Sequence, residues 1–144
     1  MNVAAILKGK GRSVQTARPD MTLQDIARTL AAKRIGAIVI IGTGGKLAGI
    51  ISERDIIRAI AERGPACLDE PVSKNMTHSV ETCDADATLD ELMAKMTIGR
   101  FRHLPVVEGG ALVGIVSIGD VVKHHIAEVE FEASALRGYI AAVG

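Results

Sequence analysis

The chain repeats itself. When Ser13–Asp55 is laid over Ser79–Asp120, with one residue dropped near the glycines of the second copy, the two stretches agree in order. Val14 matches Val80, Thr16 matches Thr82, Asp20 matches Asp86, Thr22 matches Thr88, Leu23 matches Leu89 and Arg34 matches Arg100. Past the gap, Leu47, Gly49, Ile50, Ser52 and Asp55 match Leu112, Gly114, Ile115, Ser117 and Asp120. A repeat at this period marks copies of one supersecondary unit that bury a shared core. The chain is therefore expected to be two versions of one small motif.

Each copy reads as the same succession. A short extended piece, SVQT or SVET, comes first. Thr22 or Thr88 then opens a helix: Thr88-Leu-Asp-Glu91 fits a capping box, and Thr22-Leu-Gln-Asp25 is a weaker version. Leu23, Ile26, Ala27, Leu30 and Ala31, and in the second copy Leu89, Leu92, Met93 and Met96, fall at helical spacing. Two strands follow around a turn: residues 37–41 and 47–51 flank GTGGK, and 103–107 and 112–116 flank EGGA. Their nearly unbroken apolar runs predict strands covered on both faces. A second helix follows each Ser-x-x-Asp, over 54–62 and from 118 onward. The fold class is α+β, with β-α-β-β-α twice over. The expected organisation is a single module spanning 1–144, with repeats at 13–63 and 79–127 and a helical extension over 128–144. Residues 64–78 join the copies, punctuated by two prolines and a glycine.

Composition excludes several classes. Lys plus Arg number 17 and Asp plus Glu number 17, so no net charge draws the chain to nucleic acid or an anionic membrane. Aromatics make up 2%, too few for base-stacking platforms. No apolar run approaches the ~20 residues of a membrane helix. MNVAAILKGKGR runs apolar then basic, the reverse of a secretion signal. Cys67 and Cys83 form no CxxC and read as ordinary thiols of a reducing compartment. The expected location is the cytoplasm.

GTGGK is not a phosphate loop. Ile40 stands where the first glycine of that motif belongs, and Leu47 where the Ser or Thr belongs; it is a hairpin turn. His78, His103, His124 and His125 form no metal-ligand spacing, and no nucleophile-base arrangement is marked by a motif. Asp84 and Asp86 read as turn and cap residues. No metal, catalytic residue or catalytic cofactor is expected, and the chain is not expected to be an enzyme.

The repeated Gly-h-h-Ser-x-x-Asp string carries two readings. Ser52 and Ser117 are good helix N-caps, and an aspartate at N3 suits the positive helix end. The same geometry also suits a nucleotide: free N–H groups face a phosphate, a carboxylate accepts from ribose hydroxyls, and Arg54 adds a cation.

Two such copies, with ArgHisLeuProValVal over 102–107 and GlyIleValSerIleGlyAspValVal over 114–122, closely resemble the CBS domain family. The resemblance covers about residues 3–127 and is nearest to stand-alone bacterial CBS-pair proteins. It implies a non-catalytic regulatory module (a Bateman module) whose two units form a pseudo-twofold pair. It also implies clefts that take adenine nucleotides: AMP foremost, also ADP, ATP, NAD(H) or S-adenosylmethionine. Carried over by position, one site would use Ser52, Arg54 and Asp55, facing Met76, Thr77, Arg102, His103 and Leu104. The other would use Ser117, Gly119 and Asp120, facing Ile35, Gly36 and Ala37. Thr16 and Thr82 would edge the clefts. The Asp55 cleft would then collect Arg54, Arg102 and His103, while the Asp120 cleft would have few fixed cations beyond what Lys8, Lys10 and Arg12 of the leader could supply. On that basis Asp55 marks the tighter phosphate site.

From Asp120 to Val143 the sequence reads as one helix, with Val121, Val122, His125, Ile126, Val129, Leu136, Tyr139, Ile140 and Val143 on its apolar side and Glu128, Glu130 and Glu132 solvated. It exceeds what the second repeat needs, and packing across a homodimer is the expected use. The expected output is a change of shape read by a separate regulated protein or by the dimer. The alternative is an adaptor acting only through protein contacts, in which both Ser-x-x-Asp strings are simply caps.

Overall fold

The computed structural model describes residues 1–143. Its elements are α1 (Val3–Lys10), β1 (Thr16–Ala17), α2 (Leu23–Lys33), β2 (Ala37–Ile41), β3 (Leu47–Ser52), α3 (Glu53–Arg63), α4 (Leu89–Gly99), β4 (His103–Glu108), β5 (Ala111–Ser117) and α5 (Ile118–Val143), with 3-10 turns at Thr43–Gly45, Pro65–Asp69 and Val72–Lys74. The chain divides into two compact units: Ser13–Glu81, and Met1–Arg12 together with the chain from Thr82 onward.

In the Ser13–Glu81 unit, β1 pairs parallel with β2, and β2 pairs antiparallel with β3. Helix α2 starts because Thr22 accepts from the Asp25 amide while the Asp25 carboxylate accepts from the Thr22 amide, a complete capping box. Leu23, Ile26 and Leu30 then project from one side of the helix, as the 3.6-residue period requires, and are buried with Ile38, Ile40, Ile51 and Ile56. Strand β2 is buried almost throughout, but β3 alternates buried and half-buried. Coverage on both faces therefore holds for β2, and β3 follows the period-two pattern of a one-sided strand.

In the other unit, Thr88 and Glu91 form the capping box of α4. The β4–β5 hairpin turns through Gly109 and Gly110, both at positive φ, the backbone that a two-residue turn demands. The expected opening strand shrinks to a single parallel bridge, Cys83 with Val106. Its extended piece runs into Asp84 and Asp86, where the Asp84 side chain accepts from the Asp86 amide and turns the chain.

Helix α1 belongs to this second unit. Val3, Ile6 and Leu7 lie in its core with Leu92, Leu104, Val106 and Val116, and the amides of Val3 and Ala4 donate to Ala87 and Ala85. The Val72–Met76 segment does the same work in the first unit: the Val72 amide donates to Met21, and Thr22 bridges Pro71 as Thr88 bridges Asn2. In that register Val3 corresponds to Val72 and Leu7 to Met76. The two matched glycines explain themselves here. A Cβ on Gly49 would stand 2.6 Å from Met76 Sδ and 2.7 Å from the Thr77 carbonyl oxygen, and one on Gly114 would stand 2.7 Å from Leu7 Cδ2. Each glycine is where a segment from outside the repeat lies across its last strand.

Helix α5 runs unbroken through Val143, as the sequence predicts; Gly144, the last residue of the expected extension, lies outside the described residues. Among the described residues no helix is long and apolar enough to cross a membrane.

Candidate functional site

Both Ser-x-x-Asp strings stand at a strand-to-helix junction, and both form the same network. The Ser52 amide and hydroxyl donate to Asp55 Oδ2 at 2.8 and 3.0 Å, and the Asp55 amide donates back to Ser52 Oγ at 3.4 Å. The Ser117 amide and hydroxyl donate to Asp120 Oδ2 at 2.9 and 3.0 Å, and the Asp120 amide donates to Ser117 Oγ at 3.2 Å. Capping is thus real in both copies. It also fixes each carboxylate by one oxygen at the mouth of a helix, in a half-buried place. A carboxylate so held has lost its rotamer freedom before any ligand arrives.

The hairpins bring further expected residues to these junctions. Ala37 pairs with Ser52, and the Glu53 amide donates to Gly36. Thr77 exchanges backbone bonds with Ile50, and Met76 lies against Gly49. Met76 and Thr77 therefore belong to the unit of Ser52 and Asp55, along the edge of β3. Ile35 and Gly36 line a groove of about 530 Å³ between α2 and α3, with Arg34, Glu53, Ile56 and Ile57. Arg54 is exposed on the first turn of α3, and Thr16 is exposed opposite Val39.

In the other unit, His103 pairs with Ser117, and the Ile118 amide donates to Arg102. Gly119 is exposed beside Ser117. Leu104 is fully buried in the core, so its side chain is committed to packing. Thr82 lines a depression of about 280 Å³ with Cys83, Glu91 and Lys95, and its carbonyl accepts from Lys95 Nζ at 2.8 Å.

A leader cation reaches the Asp120 end. Lys10 Nζ lies 2.6 Å from Asp120 Oδ2 and donates to the Ile115 carbonyl at 3.0 Å. The Asp120 end is therefore not poor in fixed charge, and of the three leader cations Lys10 is the one that reaches it. Its side chain is 32% exposed and that of Asp120 22%. Asp55 instead meets Arg58 Nη1 at 3.7 Å, on its other oxygen, from a side chain 66% exposed. Arg58 escaped the motif reading, although its place three residues after Asp55 on a helix was a readable signal. Burial raises the Asp120 carboxyl. The Lys10 hydrogen bond, the Ser117 amide, the Lys10 charge and the Ser117 hydroxyl outweigh it and hold the group below its ordinary value. Among the described residues, no cluster of three or more His, Cys, Asp or Glu side chains could hold a metal.

The family model described as CBS domain matches residues 11–62 and 72–126. The chain is 32% identical over 146 residues to the CBS domain-containing protein CBSX3, mitochondrial, of Arabidopsis thaliana, spanning 96% of this chain and 71% of that one. It is similar to the crystal structure of the CBS-domain containing protein ATU1752 from Agrobacterium tumefaciens, with TM-score 0.83 and 48% identity, covering 85% of this chain and 91% of that one. It is also similar to the CBS domain protein PAE2072 from Pyrobaculum aerophilum, complexed with AMP, with TM-score 0.74 and 28% identity, covering 83% and 89%.

Proposed function

The chain belongs to the CBS domain family, regulatory modules rather than catalysts, and carries two of its domains in tandem; from that premise we propose that it binds adenine nucleotides, AMP first, at its Ser-x-x-Asp junctions. One observation carries the reading: in both copies the preceding serine holds an aspartate by Oδ2, through its amide and its hydroxyl, at the start of a helix. A carboxylate anchored in this way can accept from the paired hydroxyls of a ribose, and the helix start faces the phosphate. The structural relative complexed with AMP supports that ligand class. Ser52, Arg54, Asp55, Thr16, Met76 and Thr77 would serve one ligand. Ser117, Gly119, Asp120, Arg102, His103 and Thr82 would serve the other, with Ile35, Gly36, Ala37 and Leu104 contributing backbone. ATP, NAD(H) and S-adenosylmethionine are the competing ligands. Occupancy acts by shifting a conformational population by the ligand's differential affinity.

Calorimetric titration of nucleotide-stripped protein with AMP, ATP, NADH and S-adenosylmethionine tests this. Loss of the tighter AMP site on Asp55→Ala, with binding at Asp120 retained, is the expected result. Silence from all four ligands would leave the adaptor reading, with both junctions acting as caps.

The regulatory partner includes a second copy of this chain. Along α5, Val122, Ile126, Val129, Ala133, Leu136, Ile140 and Val143 recur at alternating steps of four and three residues, the heptad spacing of a coiled-coil seam. Six of the seven are large apolar residues at least half exposed. A parallel, in-register pairing sets Glu132 opposite Arg137 of the partner subunit, an attractive flanking pair.

A further inference from the structure

We propose that Lys10 is a specificity residue of the Asp120 junction, closing the carboxylate to a neutral nucleoside and yielding it to one that carries phosphate. This rests on the nucleotide-binding reading above and assigns that junction its ligand class.

Three observations carry it. First, Lys10 is delivered by a rigid support. Val3, Ile6 and Leu7 pin α1 into the core, and Lys10 is its last residue, followed by Gly11 at φ +97° where the chain leaves the helix. Helix and tether place the ammonium at Asp120 before any ligand arrives. Second, the acceptor is crowded. Asp120 Oδ2 takes the Ser117 amide, the Ser117 hydroxyl and Lys10 Nζ together. Oδ1 stays open to one hydroxyl, but a ribose diol that engages both carboxylate oxygens must shift the ammonium from Oδ2, because Ser117 is tied to the cap. Third, the other copy lacks the device. The segment matching α1 leaves its helical turn at Asn75 and bonds along β3 at Thr77, so no helix end carries a lysine to Asp55, and the Asp55 cation is an exposed arginine on the same helix, 3.7 Å away on the other oxygen.

The chemistry then separates ligands. An ammonium displaced from a half-buried carboxylate loses a charge-assisted bond. A phosphate replaces that bond with one of the same kind. A neutral nucleoside offers only hydroxyls, so its binding carries the whole loss.

The test isolates the Asp120 junction with Asp55→Ala and measures AMP and adenosine by calorimetry, with and without Lys10→Met. Methionine matches lysine in helix propensity and length, and Lys10→Arg serves as the charge-retaining control; melting curves confirm that each variant is folded. Asp55→Ala alone should prefer AMP to adenosine by about tenfold or more, the scale of one charge-assisted bond. Adding Lys10→Met should improve adenosine by about tenfold, weaken AMP and so collapse the preference, while Lys10→Arg retains it. Adenosine affinity unchanged or reduced by Lys10→Met overturns the proposal. AMP bound by the wild type through Asp55, with no variant binding at Asp120, removes this proposal and leaves the nucleotide function standing. No binding by the wild type or by Lys10→Met removes both.

Discussion

At the scale of single residues, two groups tie stability to pH in opposite directions. The Asp120 carboxyl is held below its ordinary value, with burial opposed and outweighed by Lys10 and Ser117. A depressed carboxyl stabilises the fold above its unfolded value, and that stability is lost as pH falls through the folded one. Lys10→Met should therefore move the acid-unfolding midpoint, followed by circular dichroism, to higher pH. An unchanged midpoint would mean that the ion pair contributes nothing to the folded state. Burial pushes the Cys83 thiol up to about 11, with Lys95 lowering it and Asp84 raising it. Its contribution is complete below the unfolded thiol value and is lost as pH rises through about 11, so stability should decline on the alkaline side. A thiol so buried is also a poor nucleophile. Native protein at pH 8 should resist alkylation at Cys83 until denaturant is added, as mass spectrometry would show. The Ser-x-x-Asp pairs could be read from the chain, because caps and phosphate sites use local patterns. Lys10 could be named as available but not placed, because its contact with Asp120 joins opposite ends of the sequence.

At the scale of elements, the matched glycines make different demands. An alanine at Gly114 would press on the flexible end of Leu7, whereas at Gly49 it would press on the Thr77 carbonyl as well as on Met76. Overpacking against backbone costs about 1–3 kcal/mol. Gly49→Ala should therefore destabilise more than Gly114→Ala in urea melts; equal losses would mean that the Val72–Met76 segment shifts as readily as a side chain rotates. Capping, spacing and turn chemistry made α2, α4 and both hairpins readable. Helix α1 was not read as a helix, although Asn2 caps it and Val3, Ile6 and Leu7 share a face. Eight residues interrupted by Gly9 give little local helical preference, and the second repeat's core supplies what the segment lacks. Strand β1 and its missing counterpart in the second unit are equally short of local signal, since two residues or one bridge carry no period.

At the scale of the whole molecule, the seam along α5 predicts association. Leu136→Glu should shift sedimentation from dimer to monomer, and Ala133→Cys should crosslink to itself across a parallel pair under mild oxidation. A wild-type monomer at micromolar concentration would remove the homodimer. One further consequence follows from α1 lying in the core of the second unit. A ribosome makes this helix before the first repeat, yet β5, against which Leu7 packs, is among the last parts of the unit to appear. The unit formed by Ser13–Glu81 has all its strands as soon as its own residues have left the exit tunnel. Val3, Ile6 and Leu7 must wait through that whole interval with their apolar face uncovered. The first repeat is thus written inside the second, like a clause within a sentence, and the outer unit can close only after the inner one is complete. Closing so distant a contact slows folding, and the waiting helix is the segment that a chaperone would meet.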